Sequence, residues 1–362
     1  MHICGVVIYS LSITMAFTTF SRSIRPTLFS VSRLSSSLSP LSSLETAEKV
    51  AFFYNDVYKV ALPSTHKFPM DKYRSVRLAL ENLYLDSLSD KVSFIESPLA
   101  TKDELLTTHC GDYIDKFMTG SMSPSELRAT GFPWSEPGVA RSLSSTGGTL
   151  HAMRKVMNKE VAVAAHLAGG THHAFYDRGE GFCIFSDLAV AANCALSEYP
   201  HLDKILILDL DVHQGNGNAK LFEHDPRVFT FSMHCAENIF SALQVSDVDV
   251  PLRKGTTDHE YLALLKSWLV PFLLDIVKPQ LVLYQAGVDI LDGDRLGKLA
   301  ITRDGIRKRN EIVYKSVRKR AIPMVVTMGG GYPRDLDKQS QAYNDIIGAH
   351  VDVYSQIVDE YL

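Results

Sequence analysis

Seven short apolar runs, alternating with longer stretches of helical spacing, constrain this chain more than any other feature. They are VAFFYN (50–55), KVSFIES (91–97), VAVAAHLAGG (161–170), KILILDLDVH (204–213), RVFTFSMH (227–234), QLVLYQAGVD (280–289) and IPMVVTMGGGY (322–332). Runs this apolar suit strands covered on both faces. The spacing predicts helices over 186–199, capped by Ser186 or Asp187, over 258–277 with an interruption at Pro271, and over 303–320. Strands alternating with helices call for right-handed crossovers and a mostly parallel sheet with helices on both faces. With 46% hydrophobic and 22% charged residues in 362, the chain has material for a sizeable core. No linker-like stretch divides residues 45–362, which read as one domain.

Residues 1–44 differ from the rest. No Asp or Glu precedes Glu45, Ser is dense, and Arg22, Arg25 and Arg33 are spread among apolar residues. That composition matches an organelle import segment, with a plastid or mitochondrion as the expected destination, the alternative being a disordered Ser-rich tail. No later run approaches the roughly 20 unbroken apolar residues of a membrane span. The net charge of −4 gives no ground for nucleic-acid binding. Five scattered cysteines without a CxxC pairing argue against a disulfide framework and against Cys-ligated zinc.

Polar and glycine-rich segments follow the C-terminal ends of five runs: GGTHH, DLDVHQGNG, SMH, AGVD and MGGGY. Ligands of parallel sheets bind beyond those ends. If the strand continues through DLDVH, then Asp209, Asp211 and His213 share one face, and burying them requires compensation. Asp211, His213 and Asp289 form a candidate metal triad of two carboxylates and an imidazole, which suits a catalytic zinc with an open position or another divalent ion such as Fe(II). A lone DxH more often caps a helix; here Gly215, Gly217 and a second strand-end Asp favour the metal. In an extended segment His172 and His173 would point in opposite directions, so they divide labour as proton shuttle and charge stabiliser. Asp209 and Asn216 are the spare groups to orient them. After three glycines Tyr332 can donate to a developing oxyanion, and Phe182 is either core or pocket wall.

Together these segments resemble the zinc-dependent histone deacetylase superfamily: GGTHHA (169–174), GFCIFSDLA (181–189), LDLDVHQGNG (208–217), SMH (232–234), AGVDILDGDRLG (286–297) and GGGY (329–332), in that order across residues 50–350. HQGNG together with FPMDKY (68–73) looks most like class IV. The resemblance implies an eight-stranded arginase/deacetylase-like fold and one zinc on Asp211, His213 and Asp289. It makes His173 the general base and then acid, His172 an electrostatic partner backed by Asp209, and Tyr332 the oxyanion donor. The Gly181 carbonyl would hold the substrate amide, Phe182 would wall an acyl-lysine tunnel, and Gly330 would line the substrate site. Asp209, Asp211, His213, Ser232 and Met233 would surround a potassium ion. Acyl-lysine side chains of proteins such as histones are the implied substrates, corepressor-type proteins the implied partners, and nucleus and cytoplasm the family's usual compartments.

Three departures bear on the reading. Asn216 stands where most members have Asp, Met328 where many have another Gly, and 235–252 lacks the usual Pro-Gly-aromatic loop of the opposite tunnel wall. A channel open on that side is expected to favour long acyl chains, at about 0.8 kcal/mol per buried methylene. Within enzymes, an arginase-like dimetal site is disfavoured by Leu291, where a second bridging carboxylate would be needed. An acylpolyamine-type amidohydrolase on the same fold and a non-catalytic acyl-lysine scaffold are the remaining alternatives.

Overall fold

Eight strands lie in one all-parallel sheet: β1 Val50–Tyr54, β2 Val92–Glu96, β3 Val163–His166, β4 Ile205–Asp209, β5 Val228–Cys235, β6 Val248–Leu252, β7 Leu281–Gln285 and β8 Met324–Thr327. Their order across the sheet is β2-β1-β3-β8-β7-β4-β5-β6. The computed structural model describes residues 49–63 and 65–362, so the import segment proposed for 1–44 lies outside the described residues. Alternate residues face opposite ways, as strand geometry requires. In β4, Leu206 and Leu208 enter one core while Ile205 and Ile207 enter the other, and β7 splits Val282 and Tyr284 from Leu281 and Leu283 in the same manner. Both faces are therefore covered, which explains the continuous apolar runs of the central strands; β2, at one edge, is only partly buried and carries Ser93 and Glu96.

The eighth, β6, is not among those runs. It is an edge strand with Pro251 in it, and an edge is where a sheet tolerates the missing N–H. Helices Asp187–Glu198 and Arg303–Arg318 form where the spacing places them, capped by Ser186 and Thr302 side chains that accept from Ala189 N and Gly305 N. Asp258–Trp268 is α-helical and then widens into a π-helical stretch, Leu269–Val277, around Pro271. The basic run at 315–320 is a solvated face, with Lys315 on Glu311, Arg318 on Glu360 and Arg320 on Asp275.

Register brings the strand ends level. Asp209 pairs with Ser232 on one side and Gln285 on the other, Gln285 with Thr327, and Thr327 with His166. The segments that follow these residues consequently meet at one rim. Arg309 locks two of them from beneath. Fully buried on helix Arg303–Arg318, it donates to the Gly287, Ala286 and Leu210 carbonyls and lies over the Tyr284 ring. Replacing it with Met leaves three buried acceptors without their donor, at about 1 kcal/mol or more each. Arg309→Met is expected to lower the unfolding free energy by about 3 kcal/mol, read from denaturant titration at unchanged m-value.

Candidate active site

β4 stops at Asp209, so Asp211 and His213 stand in the bend that follows and not on the strand. The bend still turns Leu210 and Val212 into the core and the two polar side chains toward Asp289. His213 Nδ1 lies 3.2 Å from Asp211 Oδ1 and 3.2 Å from Asp289 Oδ2. One ligand atom from each of the three residues falls within 4.8 Å of the others.

The donors around this triad are placed selectively. Asp211 accepts from Gly330 N and His213 N, and Asp289 Oδ1 accepts from Val212 N. Asp289 Oδ2, although buried, accepts no hydrogen bond. Backbone comes close enough to exclude any larger residue: a Cβ on Gly330 would sit 1.9 Å from Asp289 Oδ2, and one on Gly287 would sit 2.2 Å from Asp211 Oδ2. Burial draws the His213 pKa down, yet the two carboxylates carry it up to about 10. So negative a pocket, with an orphaned carboxylate oxygen and an imidazole nitrogen converging, fits a divalent cation that would take the proton's place.

The chain turns at His172 and His173. Their rings therefore lie side by side, with centroids 3.9 Å apart, and not on opposite sides as an extended segment would put them. Each has its own partner. His172 Nδ1 is 2.6 Å from Asp209 Oδ2, and His173 Nδ1 is 2.7 Å from Asn216 Oδ1. Burial opposes charge on His172, but Asp209 and Asp211 raise its pKa to about 9. His173 has no such carboxylate beside it. Burial, then the neighbouring His172 and His213, hold its pKa well below the usual imidazole value. With its Nδ1–H donated to Asn216, neutral His173 keeps the Nε2 lone pair free for proton abstraction. Burial and the Asp289 and Asp211 charges push the Tyr332 phenol well above its ordinary pKa, so it remains a hydrogen-bond donor.

Phe182 is at φ +68° after Gly181 at φ +55°, and its ring meets those of Tyr332, Phe68 and Phe132. Ser232 and Met233 are buried in β5 beside Asp209. Met328, one of the three departures, fills the core and donates its N–H to Ala168 O.

Residues 66–347 match the Histone deacetylase domain family. The chain belongs to the histone deacetylase family. It is 31% identical over 297 residues to histone deacetylase 2 of Arabidopsis thaliana, covering 78% of this chain and 75% of that one. An uncharacterised protein of Picosynechococcus sp. is 39% identical over 302 residues, covering 83% and 98%. The solved HDA15 HD domain superposes with a TM-score of 0.71 at 21% identity over 86% of this chain and 89% of that one, which establishes the arginase/deacetylase fold. Membership in the histone deacetylase family makes the chain a hydrolase acting on amides.

Sequence reasoning missed three residues of this histone deacetylase site. Phe240, from the stretch that showed no tunnel aromatic, stands edge-on to His173 at 4.6 Å and to His213 at 5.7 Å, against Gly181. The expectation of an open wall is corrected by it. Only its place in AENIFSALQ, a lone Phe in a loop, could have pointed to it. Lys72, in FPMDKY, is buried beneath GGGY, donates to the Gly329 and Gly331 carbonyls, and is 5.3 Å from the Tyr332 ring. Burial lowers its pKa to about 8 against the pull of Asp289, Asp294 and Asp211. Asp294, whose pKa burial and Asp289 raise to about 7, accepts from Tyr332 N.

Three outcomes follow for this site. Lys72→Met removes two hydrogen bonds from the GGGY carbonyls and should cost about 2 kcal/mol of stability, together with a fall in kcat as Tyr332 loses its support. If His173 is the base, it must be neutral to act, and since its pKa is depressed the acidic limb of the pH–rate profile should lie below pH 6.5. Asn216→Asp adds a negative charge beside Nδ1 and favours the imidazolium. The limb should then move to higher pH by about one unit.

Proposed function

We propose that this chain is a zinc-dependent protein lysine deacetylase, releasing acetyl and short acyl groups from acyl-lysine side chains, histones among the candidate substrates. The observation that carries the reading is the buried Asp289 Oδ2, which has no hydrogen-bond donor and faces His213 Nδ1 beside a neutral, oriented His173. Bound to Asp211, His213 and Asp289, zinc would supply Lewis acidity toward the acyl carbonyl and lower the pKa of water at the site. His173 Nε2 takes a proton from the attacking water and returns it to the leaving lysine amine. His172, charged and held by Asp209, stabilises negative charge near the reacting atoms, and the Tyr332 phenol donates to the developing oxyanion. The Gly181 carbonyl accepts the substrate amide N–H, Phe182 and Phe240 flank the lysine methylenes, and Gly330 lines the site.

Phe240 removes the ground for expecting a preference for long acyl chains. An acylpolyamine-type hydrolase would share this chemistry and differ only in what the rim accepts, while a non-catalytic scaffold would not need the full set of proton-transfer groups. Features of HQGNG and FPMDKY support placing the chain with class IV, with corepressor-type partners and a role in chromatin regulation as the corresponding proposals. A potassium ion held by Asp209, Asp211, His213, Ser232 and Met233 belongs to the same proposal. No helix among the described residues is long and apolar enough to cross a membrane. The composition of residues 1–44 supports plastid or mitochondrial import, against the nucleus and cytoplasm usual for the family.

Purified protein should bind about one zinc per chain and lose activity to a chelator, and Asp211→Ala should abolish both binding and turnover. Turnover by a metal-free Asp211→Ala protein would overturn the reading. Across acetyl, butyryl, octanoyl and myristoyl versions of one peptide, with an acetylated polyamine alongside, kcat/KM should be highest for acetyl or butyryl peptide. A reporter fused to residues 1–60 should enter the organelle, and a diffuse or nuclear signal would refute import.

A further inference from the structure

The side-chain amide of Asn216 has two separate sets of partners. Its Oδ1 accepts from His173 Nδ1 at 2.7 Å and from the Gly217 backbone N–H at 3.0 Å. Two donors converging on one atom identify it as the oxygen, so the other end is the –NH2 group. That end lies 3.3 Å from the Ala242 carbonyl and donates to it. A carboxylate oxygen at this position could accept the same two hydrogen bonds. It could not serve Ala242, because its second oxygen would face the carbonyl oxygen and repel it.

Ala242 belongs to the rim segment 238–245, which carries Phe240. The segment has little apolar burial of its own to hold it. Ile239 is 59% exposed, Phe240 52%, Leu243 48% and Val245 83%. A stretch this exposed keeps its place through its polar anchors. Asn238 Nδ2 donates to Leu296 O at 2.6 Å, Ser241 Oγ donates to Glu180, and Gln214 exchanges two bonds with the Gln244 backbone at 2.6 and 2.9 Å. Of these, the Asn216–Ala242 bond and the Gln214–Gln244 pair come from the turn that also contains His213. They fasten the segment directly behind Phe240, whose ring otherwise rests edge-on against His173 and His213 and on Gly181.

We propose that Asn216 is a positioning residue for the substrate channel as well as for His173: its Nδ2–H holds the Ala242 carbonyl and so keeps Phe240 across the channel mouth. On this view an Asn, and not an Asp, stands in HQGNG because the turn must fasten a loop whose own packing is poor. What the channel binds rests on the acyl-lysine reading above. The fastening of the loop does not.

The test compares wild type, Asn216→Asp, Phe240→Ala and the double variant, with kinetics taken on the pH plateau so that titration of His173 does not enter. Losing one hydrogen bond and gaining a repulsion should raise KM for an acetyl-lysine peptide by about fivefold to tenfold in Asn216→Asp. In the Phe240→Ala background the same substitution should raise KM by less than about twofold, since the ring it positions is gone. Chymotrypsin cleavage within 238–245 should accelerate about fivefold or more in Asn216→Asp, and this readout needs no turnover. If no member of the set hydrolyses the peptide, the substrate reading fails while the cleavage rates still decide the fastening. Gln214→Ala removes the neighbouring anchor without touching His173. It should raise both KM and cleavage with the acidic limb unmoved, and it decides the matter if Asn216→Asp does not fold. Unchanged KM and cleavage in Asn216→Asp, with only the acidic limb displaced, would overturn the proposal. Equal rises in KM in both Phe240 backgrounds would overturn it too.

Discussion

Two carboxylates that cannot reach water set the terms for everything around them. Asp211 is 1% exposed and Asp289 not at all, and their nearest atoms converge on one imidazole. Such charges are tolerable in a protein interior only when opposite charge and directed donors surround them. The donors come from backbone: Gly330 N to Asp211 and Val212 N to Asp289. Cationic groups stand outside that shell. Arg309 braces the strand ends below, and Lys72 neutralises from beneath the glycine run while its bonds fix the carbonyls on either side of Gly330. Even so, the shell is incomplete, because Asp289 Oδ2 is left without a donor. A buried carboxylate oxygen is rarely left so in a folded protein, and a site that needs one more positive charge is the physical basis for a metal here.

Two adjacent histidines illustrate how the same constraint sorts function. His172 and His173 share a residue type, a turn and a degree of burial. They differ in the group that accepts from Nδ1: a carboxylate for the first, an amide for the second. That difference sends the pKa of His172 up to about 9 and leaves that of His173 depressed. Environments that push two titratable groups apart suit them to different roles, and the proposed mechanism uses one as a fixed charge and the other as the proton carrier. A carboxylate on both would favour charge on both rings, 3.9 Å apart centroid to centroid, and would raise the pH at which a neutral imidazole is available.

The parts of this fold that are legible in the amino-acid sequence are those whose cause is local. Strands buried on both faces must be apolar at nearly every position, so the central strands stand out, and Ser186 announces the helix it caps. β6 is hidden because its alternation is short, only Val248, Val250 and Leu252, and because Pro251 within it argues against a strand. The segments of the site are legible because glycine, histidine and aspartate gather after strand ends, which is a property of parallel topology. Their detailed arrangement is not. Asp211 and His213 converge through a bend and not through strand alternation, and the two histidines meet because the chain turns there. Lys72 acts on Gly329 and Gly331, at sequence separations of 257 and 259, and Phe240 reaches the site from a loop without a motif. Contacts made across such separations leave no local pattern to read.

The short turn after His213 joins the site's separate tasks. Beginning with His213 itself, a candidate metal ligand, it supplies two side-chain amides that reach the rim segment, and one of them, Asn216, also orients His173. It can do so because it lies directly against the segment carrying the two histidines. Gly217 N donates to His172 O at 3.0 Å, and a Cβ at residue 217 would sit 2.4 Å from the Ala174 carbonyl. Any side chain there would drive the turn away from the histidines and separate Asn216 from His173. The glycine is therefore a geometric condition for the chemistry, although it takes no part in it. The same contact means that displacing the rim segment, the turn or the histidine loop displaces the others, and Asn216 is the side chain that touches both the rim and His173.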